Sequence, residues 1–147
     1  MPTYRDFELP ATQLLIDELA AGDTPVILFS KASHHLLPSL VRTGANVLSV
    51  DWRMDLAQLR KEFGDRIAIQ GNIDPTILLA SPEAIVRAAR DAVRQTKGRG
   101  HILNLGHGIL PETPVENALA FIRAGQSAPF ENSSEPQAAE TAAAPVN

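Results

Sequence analysis

The chain has 147 residues, 44% hydrophobic and 20% charged, with a formal net charge of −4, which fits one globular domain with a buried core and disfavours a nucleic-acid footprint. It contains no cysteine, which excludes disulfides, Cys-based zinc or iron–sulfur centres and thiol nucleophiles, and fits a reducing, cytoplasmic setting. The opening Met1–Glu8 has no apolar stretch of the secretory type, and no run approaches the ~20 apolar residues of a membrane span.

In chain order, Leu9–Ala21 places Leu14, Leu15, Leu19 and Ala20 at helical spacing, with Gly22 as a stop. Val26–Ser30 is a short, nearly continuous apolar run and predicts a strand. His35–Thr43, with Leu36, Leu37, Leu40 and Val41, predicts a helix stopped at Gly44. Asn46–Val50 predicts the second strand, and Asp55–Phe63 a helix ending at Gly64. Ile67–Gly71 predicts the third strand. Pro82–Thr96 predicts a helix with Ser81 as its cap and proline in the first turn. His101–Gly106 predicts the fourth strand. Thr113-Pro114-Val115-Glu116 has the form of a capping box opening a helix to Ala124. From Gly125 to Asn147 the chain is Ala, Ser, Pro, Glu and Gln with a single Phe130, which predicts a disordered tail at 125–147 after a folded unit at 1–124.

The four nearly continuous apolar runs show no clean alternation, as expected of parallel strands buried on both faces in a sheet covered by helices. They begin 20, 21 and 34 residues apart, at 26, 46, 67 and 101. Each interval accommodates a right-handed helical crossover. The expected architecture is therefore α/β, with about four parallel strands.

Ligands of parallel α/β sheets bind at the carboxyl ends of the strands. Those ends carry Lys31, then Asp51, Trp52 and Arg53, then Asn72 and Asp74, then His107 between Gly106 and Gly108. Polar or glycine-rich groups at all four ends suggest one site. His107 is its sharpest candidate, open to a ligand or else a turn histidine making local hydrogen bonds. Asp74-Pro75 reads first as a cap with a first-turn proline, and Asp51-Trp52 equally as a turn-fixing pair or as site lining. Arg53 and Lys31 read first as solvated charges. His34-His35 lacks a completing carboxylate and adjacent residues do not share a helix face, so no metal site is expected. His101 opens a strand and reads as structural. No dinucleotide fingerprint, phosphate loop, nucleophile elbow or zincin motif is present.

Taken together, Phe29-Ser30-Lys31, Val50-Asp51-Trp52, Gln70-Gly71-Asn72-Ile73-Asp74-Pro75 and Asn104–Pro111 resemble the carboxyl-terminal part of the uroporphyrinogen decarboxylase family, over about residues 4–124. The resemblance implies a (β/α)8 barrel of which this chain carries about half, since a barrel takes about 250 residues. It implies loss of four acetate carboxyls from uroporphyrinogen to give coproporphyrinogen, with no cofactor and no metal. Of the residues the family uses on substrate, only the closing histidine carries over, onto His107. The family's arginines, aspartate, tyrosine and serine from its earlier segments have no counterpart here, so the chain alone is expected to be inactive. Lys31, Asp51, Trp52, Asn72 and Asp74 remain as possible lining residues. Ala32-Ser33-His34-His35 and Arg53 depart from the family's usual glycines and threonine. A related branch, the methylcobamide methyltransferases, holds zinc with His and Cys; the lack of cysteine and the intact Asn104–Gly108 segment argue against it. The alternative is a non-catalytic remnant or interaction module that keeps the fold. Expected partners are a porphyrinogen and either a complementary amino-terminal half or a second copy, with no nucleic acid or membrane.

Overall fold

The computed structural model describes residues 3–128. Four parallel strands, β1 (Ile27–Phe29), β2 (Val47–Ser49), β3 (Ala68–Ile73) and β4 (His101–Leu105), form one sheet in the order β1-β2-β3-β4. Strand neighbours in space are thus neighbours in sequence, as helical crossovers of one hand produce. The register pairs Phe29 with Ser49, Ser49 with Gln70, Gln70 with Ile102, and Asn72 with Asn104. Because side chains alternate across a strand, one face of the sheet carries Ile27, Phe29, Ser49, Gln70, Ile102 and Asn104. The other carries Leu48, Val50, Ile69 and Ile73.

Helices cover only the second face, which corrects the expectation of strands buried on both faces. The helices are α1 (Leu9–Ala20), which precedes β1, the crossover helices α2 (Leu37–Val41), α3 (Leu56–Phe63) and α4 (Pro82–Gln95), and α5 (Val115–Gln126), which follows β4. One core joins Leu48, Val50, Ile69 and Ile73 to Leu37, Leu40, Leu56, Leu59, Ile85, Ala89 and Phe121. In α4, Ile85, Ala89, Ala92 and Val93 recur at helical spacing and are all buried. Ile85 is 0% exposed, a burial that contributes about 1.5–3 kcal/mol. Asn117 ties α5 to the 3-10 turn that precedes α4, donating from Nδ2 to the carbonyls of Leu78 (2.8 Å) and Ala80 (3.0 Å). On the uncovered face, Ile27, Phe29 and Ile102 are 48%, 47% and 43% exposed. Leu14, Leu15 and Leu19 of α1 and Val115, Leu119 and Ile122 of α5 are exposed as well.

The structure corrects several expected elements. A π-helical stretch, Tyr4–Glu8, precedes α1. The helix expected over His35–Thr43 is a 3-10 turn at His34–Leu36 followed by the five-residue α2. Pro38 lacks an N–H and fits only a first turn, so the helix restarts around it. Strand β3 runs to Ile73, two residues past its expected end. The capping box at Thr113 does not form. Thr113 donates its N–H to the Leu110 carbonyl, its Oγ1 is buried without a partner, and Pro114 is the cap residue. The folded unit also passes Ala124: α5 continues to Gln126 and Ala128 is buried. The rest of the expected tail, 129–147, lies outside the described residues.

Among the described residues no helix is long and apolar enough to cross a membrane. Nor does any group of three or more His, Asp or Glu among them stand close enough to hold a metal ion.

Candidate functional site

The uncovered face of the sheet forms the floor of a cleft of about 500 Å³, lined by Phe29, Ser49, Gln70, Asn104, His107 and Ile109 among others. Its polar groups are partly tied together. Gln70 donates from Nε2 to Ser49 Oγ at 3.1 Å, and Asn104 accepts the Leu105 N–H on its own Oδ1 at 2.8 Å. His107 sits at the carboxyl end, exposed, with its ring edge-to-face against Phe29 at a centroid separation of 6.2 Å. That contact orients the imidazole.

Gly106 sets the position of His107. A Cβ there would stand 2.5 Å from the Trp52 nitrogen and 3.0 Å from the Asp51 carbonyl carbon. Only glycine lets the end of β4 pass so close to the loop after β2. Gly71 is constrained in the same way one strand earlier, with φ +134° and the Val50 carbonyl oxygen 2.6 Å from where a Cβ would lie.

Beside the cleft, the loops after β1 and β2 are locked by Asp51, which is 0% exposed. Its Oδ2 accepts the Ala32 N–H, and its Oδ1 accepts the Arg53 N–H at 2.9 Å. Its carbonyl accepts Asn72 Nδ2 at 3.0 Å, and the same Nδ2 donates to the Met54 carbonyl. Arg53 stands 3.6 Å from Asp51 Oδ2 and stacks over Trp52, 4.7 Å from the ring centroid. Lys31 Nζ lies 5.8 Å from that centroid. Lys31, Asp51, Trp52, Arg53 and Asn72 are therefore one cluster at the carboxyl rim. Asp74 stands apart: it caps the 3-10 helix Pro75–Leu79, its Oδ1 accepting the Thr76 N–H at 2.9 Å.

Of the candidate residues at the strand ends, His107 lines the cleft, with Asn104, Leu105 and Gly108 of the same segment. Ser49, Gln70 and Phe29 line it too, from within the strands rather than beyond their ends. Their signal was the two-residue period of each strand, which aims them at the same face. His101 is on the opposite side. Its Nδ1 meets Thr96 Oγ1 at 3.1 Å and its Nε2 meets the Gly71 carbonyl at 2.7 Å. Burial holds its pKa below the ordinary histidine value of 6.5; the Gly71 carbonyl opposes that shift and the Arg60 charge adds to it.

A parallel sheet covered on one face by its crossover helices, with its polar cleft at the strands' carboxyl ends, defines a partial β/α-barrel protein. A family model described as uroporphyrinogen decarboxylase (URO-D) matches residues 2–127. The chain belongs to the uroporphyrinogen decarboxylase family. Uroporphyrinogen decarboxylase of Synechococcus sp. (strain CC9902) is 42% identical over 126 residues, which make up 84% of this chain and 36% of that protein. The Trichodesmium erythraeum (strain IMS101) protein of the same name is 43% identical over 122 residues, 82% of this chain and 34% of that protein. The chain thus spans about a third of the length of the curated relatives it matches. A methyltransferase from Methanosarcina mazei superposes with a TM-score of 0.72 at 24% identity, covering 84% of this chain and 36% of that one; this likeness concerns the fold.

Proposed function

We propose that this chain forms the carboxyl-end β/α units of a uroporphyrinogen-decarboxylating site in tetrapyrrole synthesis. The reading is carried by one observation: the family match falls on a sheet whose cleft is open at the carboxyl ends of the strands and presents His107. The substrate is a porphyrinogen, a flexible ring of four pyrroles bearing acetate and propionate carboxylates. The apolar floor of Phe29 and Ile109 takes up the ring. His107 donates a hydrogen bond to a side-chain carboxylate. Gln70 and Asn104 supply further polar contacts.

The chemistry proceeds by acid–base and electrostatic means, with no metal or organic cofactor. Protonation of the pyrrole α-carbon next to the one bearing an acetate makes the ring an electron sink, with the acetate-bearing carbon still conjugated to the resulting cation. The bond to the carboxylate breaks, its electron pair flows into the ring, and carbon dioxide departs. The methylene left behind takes a proton to become a methyl group as the ring returns its own. The acid and the cationic groups that this requires are supplied by a complementary polypeptide seated on the uncovered face and on the edges β1 and β4. A second copy is the alternative occupant of that face.

The test is a complementation assay in which the chain is combined with a polypeptide carrying the relatives' remaining residues. His107→Ala should then lower kcat/KM roughly ten- to a hundredfold, the loss of one hydrogen bond to a charged group. An unchanged kcat/KM would assign His107 to loop packing and remove the site from this cleft.

A further inference from the structure

We propose that Lys31, Trp52 and Arg53 form a carboxylate-binding subsite at the rim, separate from the His107 cleft. The proposal rests on the reading above for the identity of the natural ligand, but its geometry is independent. Both cationic heads lie over one indole, 4.7 Å (Arg53) and 5.8 Å (Lys31) from its centroid. An aromatic face restrains an otherwise mobile cation without neutralising it.

The one carboxylate in the cluster is already engaged. Asp51 gives an oxygen to each of two backbone N–H groups, and its approach to Arg53 is 3.6 Å, longer than a close charge-assisted hydrogen bond. The Arg53 side chain is 57% exposed, so its guanidinium fork is presented to solvent, and among the described residues Lys31 makes no ion pair. The Asp51 contacts to Ala32 and Arg53 hold the two loops together, so both cations are placed before any ligand arrives. A planar carboxylate suits this arrangement: two oxygens on the Arg53 fork and the Lys31 ammonium alongside. Gly106, the residue before His107, packs directly against the Trp52 backbone, so this rim adjoins the His107 cleft.

Trp52 is the sole tryptophan, so its emission reports on this cluster alone. The test titrates the full chain with benzene-1,3,5-tricarboxylate, inorganic phosphate and uroporphyrin I, by calorimetry and by Trp52 emission. Saturable tricarboxylate binding is expected, weakened at least tenfold in Arg53→Gln and severalfold in Lys31→Gln, with circular dichroism unchanged. Phosphate should bind at least tenfold more weakly. No saturable tricarboxylate binding, equal binding by Arg53→Gln, or equal affinity for phosphate would overturn the proposal. Arg53-dependent tricarboxylate binding without uroporphyrin binding would support the subsite and overturn the porphyrinogen reading.

Discussion

Replacing Asp51 separates the role of the rim from that of the core. Asp51→Ala removes a fully buried carboxylate that accepts the N–H groups of Ala32 and Arg53. Each is a hydrogen bond to a charged group, worth about 1.5–3 kcal/mol. Ala32 and Arg53 are exposed residues, so water replaces part of what is lost, leaving roughly 2–4 kcal/mol. Such a loss is a large share of the ~5–15 kcal/mol that holds a domain folded. Asp51→Asn keeps one acceptor oxygen but turns an amide against the second N–H, and should fall between wild type and Ala. Urea unfolding followed by Trp52 emission reads the effect. With a slope of about 2 kcal/mol per molar, the midpoint should drop by about 1–2 M in the Ala variant. A midpoint within about 0.2 M of wild type, or an Asn variant less stable than Ala, would refute the reasoning.

Three further outcomes follow from the same geometry. Gly106→Ala places a methyl group 2.5 Å from the Trp52 nitrogen and 3.1 Å from the Asp51 Cα; it should cost about 1–3 kcal/mol and lower Tm, and an unchanged Tm would contradict the close passage of β4. His101 titrates lower in the folded chain than its usual 6.5, so its share of stability is present above that pH and is lost as pH falls below it toward the folded value. Tm should therefore decline from about pH 7.5 to about pH 5, and decline less in His101→Gln; identical slopes would remove His101 as the cause. Finally, the edges β1 and β4 and the exposed Ile27, Phe29 and Ile102 should drive association of the isolated 147-residue chain, and a sharp monomer in sedimentation at micromolar concentration with cooperative unfolding would contradict it.

The four strands were legible because each is a largely apolar run of a length that suits a sheet, and their spacing leaves room for crossovers. Their ends were less legible. Asn72 extends β3 because its amide finds the carbonyls of Asp51 and Met54, partners that only the folded loop brings near. The shortening of α2 was written in Pro38, but the surrounding leucines carried a stronger helical pattern than the chain could follow. The failed capping box shows a local motif losing to a turn: the Thr113 N–H is committed to Leu110, and Pro114, one residue on, takes the cap position. For the site, His107 was visible from its glycines and strand end. The pairing of Lys31 with Arg53 on Trp52 was not, because residues 21 or more apart in sequence meet there only through the buried carboxylate of Asp51.

Turnover by reconstituted protein tests the central claim most directly. The purified chain, the complementary polypeptide carrying the relatives' remaining residues, and the two together are each incubated anaerobically with uroporphyrinogen, and coproporphyrinogen is followed by chromatography. The account predicts product from the mixture and none from either polypeptide alone. Coproporphyrinogen formed by this chain alone, with host enzyme excluded, or a stable complex of the two polypeptides that binds substrate and forms no product, would contradict it.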